Sequence, residues 1–139
     1  MNEKVIFAAV RSSSGDIGSS GIITYDSLTT NGLHMDSSTG KFTTPTSGLY
    51  MFTFSAVSAN TNTAEVTIGV RKNDSQLFVI DDEEDKKSGA NERNIAYSWI
   101  LDLSTDDIVY LDMSSGGLHA DAGTGEDQVH FTGHLLHAN

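Results

Sequence analysis

An all-β sandwich is the fold class this sequence predicts, and three observations predict it. Apolar residues recur at period two in segment after segment. Clusters of Gly, Ser, Asn, Asp and Thr separate those segments, and no long stretch carries the 3.6-residue period of an amphipathic helix. Many short strands without helical connections point to two packed sheets, a sandwich or jelly roll. The 139 residues make a single domain over 1–139. A chain of that size buries roughly two thirds of its unfolded surface, so a core forms without disulfides or metal. The absence of cysteine removes disulfide scaffolds, thiolate zinc sites and cysteine nucleophiles together.

Val5, Phe7 and Ala9 open the chain on one strand face. Ile6 and Val10 make the other face apolar too, the pattern of a strand covered on both sides. The RSSSGDIGSSG stretch that follows reads as a loop. Over 48–59, Tyr50, Phe52, Phe54 and Ala56 share a face. Over 64–72, Val66, Ile68 and Val70 do so opposite Glu65, Thr67 and Arg71. Lys72-Asn73-Asp74-Ser75 leads from that strand into 76–80, and an Asn-Asp pair tolerates the positive φ angles of a tight hairpin. An acidic loop is expected over 81–94. A long strand follows with Ile95, Tyr97, Trp99, Leu101 and Leu103 on one face, then a turn at Ser104-Thr105-Asp106 and a strand over 108–113. A Gly/Asp-rich loop over 114–127 precedes the last strand, 128–136, where Val129, Phe131, Gly133 and Leu135 alternate with His130, Thr132, His134 and Leu136.

The formal charge of −11, from 19 acidic and 8 basic residues, repels phosphate backbones and anionic membranes. Nucleic acid is therefore not an expected partner, whereas cations, basic protein surfaces and neutral sugars remain compatible. No apolar run reaches the ~20 residues of a membrane helix, so membrane insertion is not expected, and the MNEKVIFAAV start lacks the pattern of a signal peptide. Met1 followed directly by a strand-like run suggests an excised domain, with any leader, collagen-like stalk or coiled coil outside it.

Across Tyr25 to Phe54 the spacing is specific: Tyr25, Asn31, Gly40, Phe42, Pro45, Gly48, Tyr50, Phe52 and Phe54, with Phe42-x5-Gly48-x-Tyr50-x-Phe52-x-Phe54 its densest part. This pattern resembles the globular domain of complement component C1q, which is structurally related to tumour necrosis factor. VIFAAVR looks like that family's first strand, RKNDSQLFV like its central hairpin and HFTGHLL like its closing strand. Four positions depart from the family. Tyr25 stands where Phe is usual, Met35 where an aromatic is usual, Asp106 where the turn has Gly, and His134 where the closing strand has Phe. The resemblance implies a ten-stranded two-sheet jelly roll that assembles as a trimer, secreted and extracellular. It implies a non-enzymatic recognition module in innate immunity, lectin-like in its binding of microbial glycans or of proteins. The alternative is a structural module that trimerises a stalk or matrix protein, in one version acidic and mineral-associated. A receptor-activating ligand of cytokine type resembles the fold more distantly.

Aromatic stripes such as Tyr50, Phe52 and Phe54 read as sandwich core. The second faces of 95–103 and 128–136, with Ile100, Ile108, His130 and Leu136, are the interface candidates. Asp81-Asp82-Glu83-Glu84-Asp85 is the strongest local charge feature. Five successive carboxylates stay solvated and extended, with Lys86 and Lys87 as partial counter-ions, or take up a cation. Hard oxygen ligands suit calcium, which binds six to eight oxygens at about 2.3–2.6 Å. The resemblance implies calcium at Asp82 and Glu83, with Asp81 and Glu84 as neighbouring substitutes and Asn91 or Glu92 downstream. The Asp121 to Asp127 loop reads as solvated. His130 and His134 share a strand face about 13 Å apart, too far for one metal; in a trimer either could meet its own copies and make assembly pH-sensitive. No Gly-x-Ser-x-Gly turn or comparable element places a nucleophile, so catalysis is not expected. Asn73-Asp74-Ser75 meets the N-glycosylation pattern at a hairpin tip.

Overall fold

The alternating stretch from Gly48 to Ser58 is the spine of the molecule, hydrogen-bonded on both sides along most of its length. The computed structural model describes residues 4–12, 15–17, 21–58, 65–83, 94–120 and 128–139. Within them run thirteen strands: β1 (Ile6–Arg11), β2 (Gly15–Ile17), β3 (Gly21–Ile22), β4 (Ser27–Thr30), β5 (Met35–Asp36), β6 (Lys41–Thr43), β7 (Gly48–Ser58), β8 (Glu65–Lys72), β9 (Ser75–Glu83), β10 (Asn94–Leu103), β11 (Ile108–Ser115), β12 (Leu118–Ala120) and β13 (Val129–Ala138). Every pairing is antiparallel. One sheet runs β2-β12-β7-β13-β1-β4 with β10 on the other side of β7, and the second runs β5-β6-β11-β8-β9 with β3 beside β11.

The jelly roll is therefore present, finer-grained than ten strands because short pieces form wherever a long strand offers its edge. Three stretches expected to be loops contribute strand. β2 and β3 lie within the RSSSGDIGSSG region, the acidic stretch begins as β9, which continues through Glu83, and β12 interrupts the Gly/Asp-rich region. None of the three shows apolar alternation of its own; each is held by register to a neighbouring strand.

The core lies between the sheets. Phe7, Tyr50, Phe52, Phe54 and Phe131 from the first sheet and Phe42, Ile68, Val70, Val109 and Leu111 from the second are all essentially buried. Each such side chain contributes about 1.5–3 kcal/mol on leaving water. Phe7 stacks on Phe42 across the gap at 4.9 Å, and Phe52 stacks on Trp99 at 5.8 Å and on Phe131 at 5.9 Å. Gly133 makes this possible: a Cβ there would stand 2.5 Å from Phe7 Cε1 and 2.9 Å from the Phe52 ring.

The spaced positions of Tyr25 to Phe54 each have a physical task. Asn31 closes the end of β1, its Oδ1 accepting the Ile6 amide at 3.2 Å while its Nδ2 donates to the Lys4 carbonyl. Gly40 turns at φ 74° beneath the Ile23 carbonyl, where no Cβ fits. The Tyr50 hydroxyl donates to the Thr46 carbonyl at 2.6 Å and fixes the turn that enters β7. The Asn73-Asp74 hairpin forms as expected, with φ of 50° and 67°. Asp106, standing where the family's turn has Gly, adopts φ 74°, the left-handed conformation glycine favours.

Candidate assembly face and acidic strand end

The outward face of the first sheet is assembled by register from four strands distant in sequence. One cross-strand row reads Ile6, His134, Met51, Ile100; the next Ala8, Thr132, Thr53, Ser98; the third Val10, His130, Ser55, Ala96. In the middle row the Thr53 and Ser98 hydroxyls meet at 3.0 Å. These twelve positions carry no Asp, Glu, Lys or Arg, in a chain of formal charge −11. Ile6 is 55% exposed and Ile100 57%, and Leu136 at the border is also exposed. Among the described residues, the charges that flank the face are exposed Lys4 ahead of β1 and Asp102 on β10, opposite Leu49, at one end, and Asp26, bonded to Ser12, at the other.

Ile6 and Val10 are thus not covered on both sides within the protomer. Of the four interface candidates, Ile100, His130 and Leu136 belong to this side of the first sheet. Ile108 does not: it is half-buried on β11 of the other sheet, paired with Thr43. Met51, central to the first row, was not legible as an interface residue, because its own strand shows only that it alternates with Tyr50 and Phe52.

A second exposed apolar patch lies where β9 and β10 meet along the open side of the sandwich. Tyr97 is 48% exposed and packs on Phe78 at 5.6 Å; Leu77 and Val79, also exposed, alternate with Phe78 on the outward face of β9. Behind them Trp99 is buried, and its Nε1 has no partner among the described residues.

The outward face of the second sheet is different in kind. Arg71 Nε donates to Asp112 Oδ2 at 2.6 Å, and the Tyr110 hydroxyl donates to Asp74 Oδ1 at 2.7 Å. Lys41 lies over the Tyr110 ring. Burial, reinforced by the Asp74 carboxylate, pushes the Tyr110 phenol up to about 12. Asn73 is locked beside this network: its Nδ2 donates to Asp107 Oδ1 and its Oδ1 accepts the Ile108 amide, each at 2.8 Å. The bond from Asn73 and the Ser104 amide hold the Asp107 carboxyl below the usual aspartate range.

Of the expected calcium residues, Asp81 is exposed on β9 and its Oδ1 accepts the Thr67 hydroxyl at 3.4 Å. Asp82 and Glu83 continue the strand, paired by backbone register with Val66 and Glu65. Their side chains, and Glu84, Asn91 and Glu92 entirely, lie outside the described residues, as does the Asp121 to Asp127 loop. Among the described residues no three His, Cys, Asp or Glu side chains converge as metal ligands, and no helix is long and apolar enough to cross a membrane.

A family model for the C1q domain matches residues 6–136. The chain belongs to the C1q domain family. Complement C1q tumor necrosis factor-related protein 3 of Mus musculus is 37% identical over 103 residues, which make up 73% of this chain and 40% of that protein. The Homo sapiens protein of the same name matches over the same 103 residues, also at 37% identity. This C1q domain thus spans 40% of the length of those relatives. The globular domain of zebrafish complement 1qA superposes with a TM-score of 0.74 at 21% identity, covering 99% of this chain and 100% of that one. Eiger TNF from S. frugiperda superposes with a TM-score of 0.71 at 12% identity, covering 99% and 96%. At those identities the two structures speak for the C1q/TNF-like fold alone.

Proposed function

We propose that this C1q domain is a non-enzymatic, extracellular recognition module that works as a homotrimer, presenting three copies of its loops to repeated ligands on microbial surfaces or on proteins. The observation that carries the reading is the uncharged outward face of the first sheet. Two copies at −11 each repel, so the surface on which they can meet is the one that brings no carboxylates together. A threefold ring needs a heterologous contact, with two different patches on each protomer. The face around Met51 and the seam around Tyr97 supply two. Trimer assembly is typical of the C1q/TNF family, and triplication gives weak individual contacts the avidity that recognition of repetitive surfaces requires. Light scattering after size exclusion is expected to give about three times the 14.9 kDa chain mass. A stable monomer across micromolar concentrations would remove the reading. A glycan and microbial-surface binding screen on the trimer then separates recognition, which predicts hits, from a purely structural trimerising role, which predicts none.

Calcium belongs to the same proposal as a stabiliser of the acidic end of β9. The five successive carboxylates from Asp81 to Asp85 begin on β9, whose backbone pairs with β8 as far as Glu83 and Glu65, and such a run costs stability unless it is solvated or a cation relieves it. The domain's melting temperature is expected to rise with calcium at matched ionic strength, and the double variant Asp82→Asn, Glu83→Gln to lose most of that rise. A response identical in both proteins would return the stretch to a solvated acidic edge.

A further inference from the structure

The twelve positions of the proposed assembly face contain two titratable groups, and both are histidines. His134 sits in the middle of the first row between Ile6 and Met51, and His130 lies two rows away between Val10 and Ser55. We infer that these two histidines make self-association of this domain acid-sensitive, the assembly holding together when they are neutral and coming apart when they are protonated. The inference rests on the reading of this face as the contact between copies.

The surroundings decide the sign. From β7, the residues facing the two histidines are Met51, Thr53 and Ser55, and from β10, Ala96, Ser98 and Ile100, none of them charged. From β1 come Ile6, Ala8 and Val10, with Lys4 ahead of them, a like charge to an imidazolium. From β4, paired to β1, come Ser27 and Thr29. β13 itself adds Gln128, Thr132 and, past its irregularity, His137 opposite Leu49. His119 on β12 pairs by backbone with Val57. Among the described residues, the carboxylates nearest the face are Asp102, in the row of Leu49, and Asp26, already engaged with the Ser12 amide and hydroxyl. No carboxylate occupies any of the twelve positions around the histidines. The patch a second copy brings, Tyr97 packed on Phe78, is itself uncharged, so its contact takes water from the imidazoles, which disfavours their charged form.

An imidazole in water takes up its proton near pH 6.5. A histidine that must stay neutral in the contact therefore weakens association by about 30-fold per protomer at pH 5. One such residue in each of three chains lowers the trimer association constant on the order of 10⁴-fold. The opposing effect is global: acidification also reduces the net negative charge, which favours assembly. Ordinary carboxylates keep their charge down to about pH 4, so between pH 7.5 and 5.5 the two effects are both carried by histidine and differ only in where the proton lands.

The test is sedimentation velocity of the full chain at pH 7.5, 6.5 and 5.5 at fixed ionic strength. It compares the wild type, the double variant His130→Gln, His134→Gln, and the control His34→Gln, whose residue lies off the face in the turn before β5. The expected result is a wild-type and control assembly that weakens at least 100-fold on acidification, and a double variant whose pH ratio, whatever its constant at pH 7.5, falls close to one. A wild-type trimer equally stable or tighter at pH 5.5 overturns this inference and leaves the assembly reading standing. A monomer at every pH removes the assembly reading itself. A double variant as pH-sensitive as the wild type shows that other groups are responsible. Should the double variant fail to assemble at all, imidazole proton shifts of the wild-type assembly decide. Two histidines that remain neutral at pH 6 until the complex dissociates support the inference, and five that all titrate within the intact assembly overturn it.

Discussion

Replacing Tyr25 by Phe is expected to stabilise this domain. Tyr25 is 6% exposed, its ring stacks on Phe131 at 6.1 Å, and its hydroxyl has no partner among the described residues. The substitution keeps the ring and removes only a buried oxygen that gave up water for nothing, which returns about 1–3 kcal/mol. For a chain of this size that is a rise of about 3–10 °C in melting temperature. The same burial holds the phenol far above the ordinary tyrosine range, which gives a second, independent signature. The native state keeps a proton that the unfolded chain releases above about pH 10, so stability falls as pH rises past that point by about 1.4 kcal/mol per pH unit for each such group. Tyr110, pushed up to about 12, adds to the slope over the same window. Urea unfolding of wild type and Tyr25→Phe at pH 7.5 and at pH 9.5–11 reads both effects. The variant should be more stable at neutral pH and show a shallower alkaline loss. A variant less stable by more than about 0.5 kcal/mol would mean that the hydroxyl is bonded after all, an unchanged alkaline slope would mean that it meets water in the native state, and either would refute the argument.

Gly133→Ala should cost about 1–3 kcal/mol in urea unfolding, because its methyl meets the Phe7 and Phe52 rings at well under van der Waals distance; a neutral result would show that the rings can move aside. Asp107→Asn should cost about 1 kcal/mol at pH 6, since it loses a charged acceptor for Asn73 and the Ser104 amide. The Asp107 carboxyl sits below the usual range, so its contribution is fully present above about pH 4 and is lost as pH falls through the lower native value; the gap between variant and wild type should close in acid unfolding titrations. Ile100→Asp, at a position 57% exposed in the protomer, should leave melting of a dilute sample within the ~0.5 kcal/mol typical of surface changes yet abolish self-association by light scattering.

What the sequence made legible and what it hid divide along one physical line. Tyr50, Phe52 and Phe54 announce themselves because alternation, a property of one strand, is enough to place them between two sheets. Asn73 and Asp74 announce their hairpin because a positive φ is a demand on two residues alone. β2, β3 and β12 have no such local signal: Leu118 is fully buried, yet it belongs to a strand only because Ser58 and Ile17 lie on either side of it. Asp81 to Glu83 read as loop by charge and are strand by pairing, because β8 extends to Glu65 and carries their backbone with it.

The assembly face is the extreme case. Ile6, Met51, Ile100 and His134 are separated by tens of residues, and each is unremarkable on its own strand. Only the register that aligns them shows that a strongly acidic chain keeps charge out of a four-strand-wide surface. Charge exclusion is thus a property of pairing, and a one-residue slip of β13 against β7 would bring Phe131, Gly133 and Leu135 outward in place of the two histidines. The inward positions forbid that slip: Gly133 is the one residue of β13 that leaves room for the Phe7 and Phe52 rings. The aromatic core therefore fixes the register, and the register in turn sets which side chains a second copy would meet.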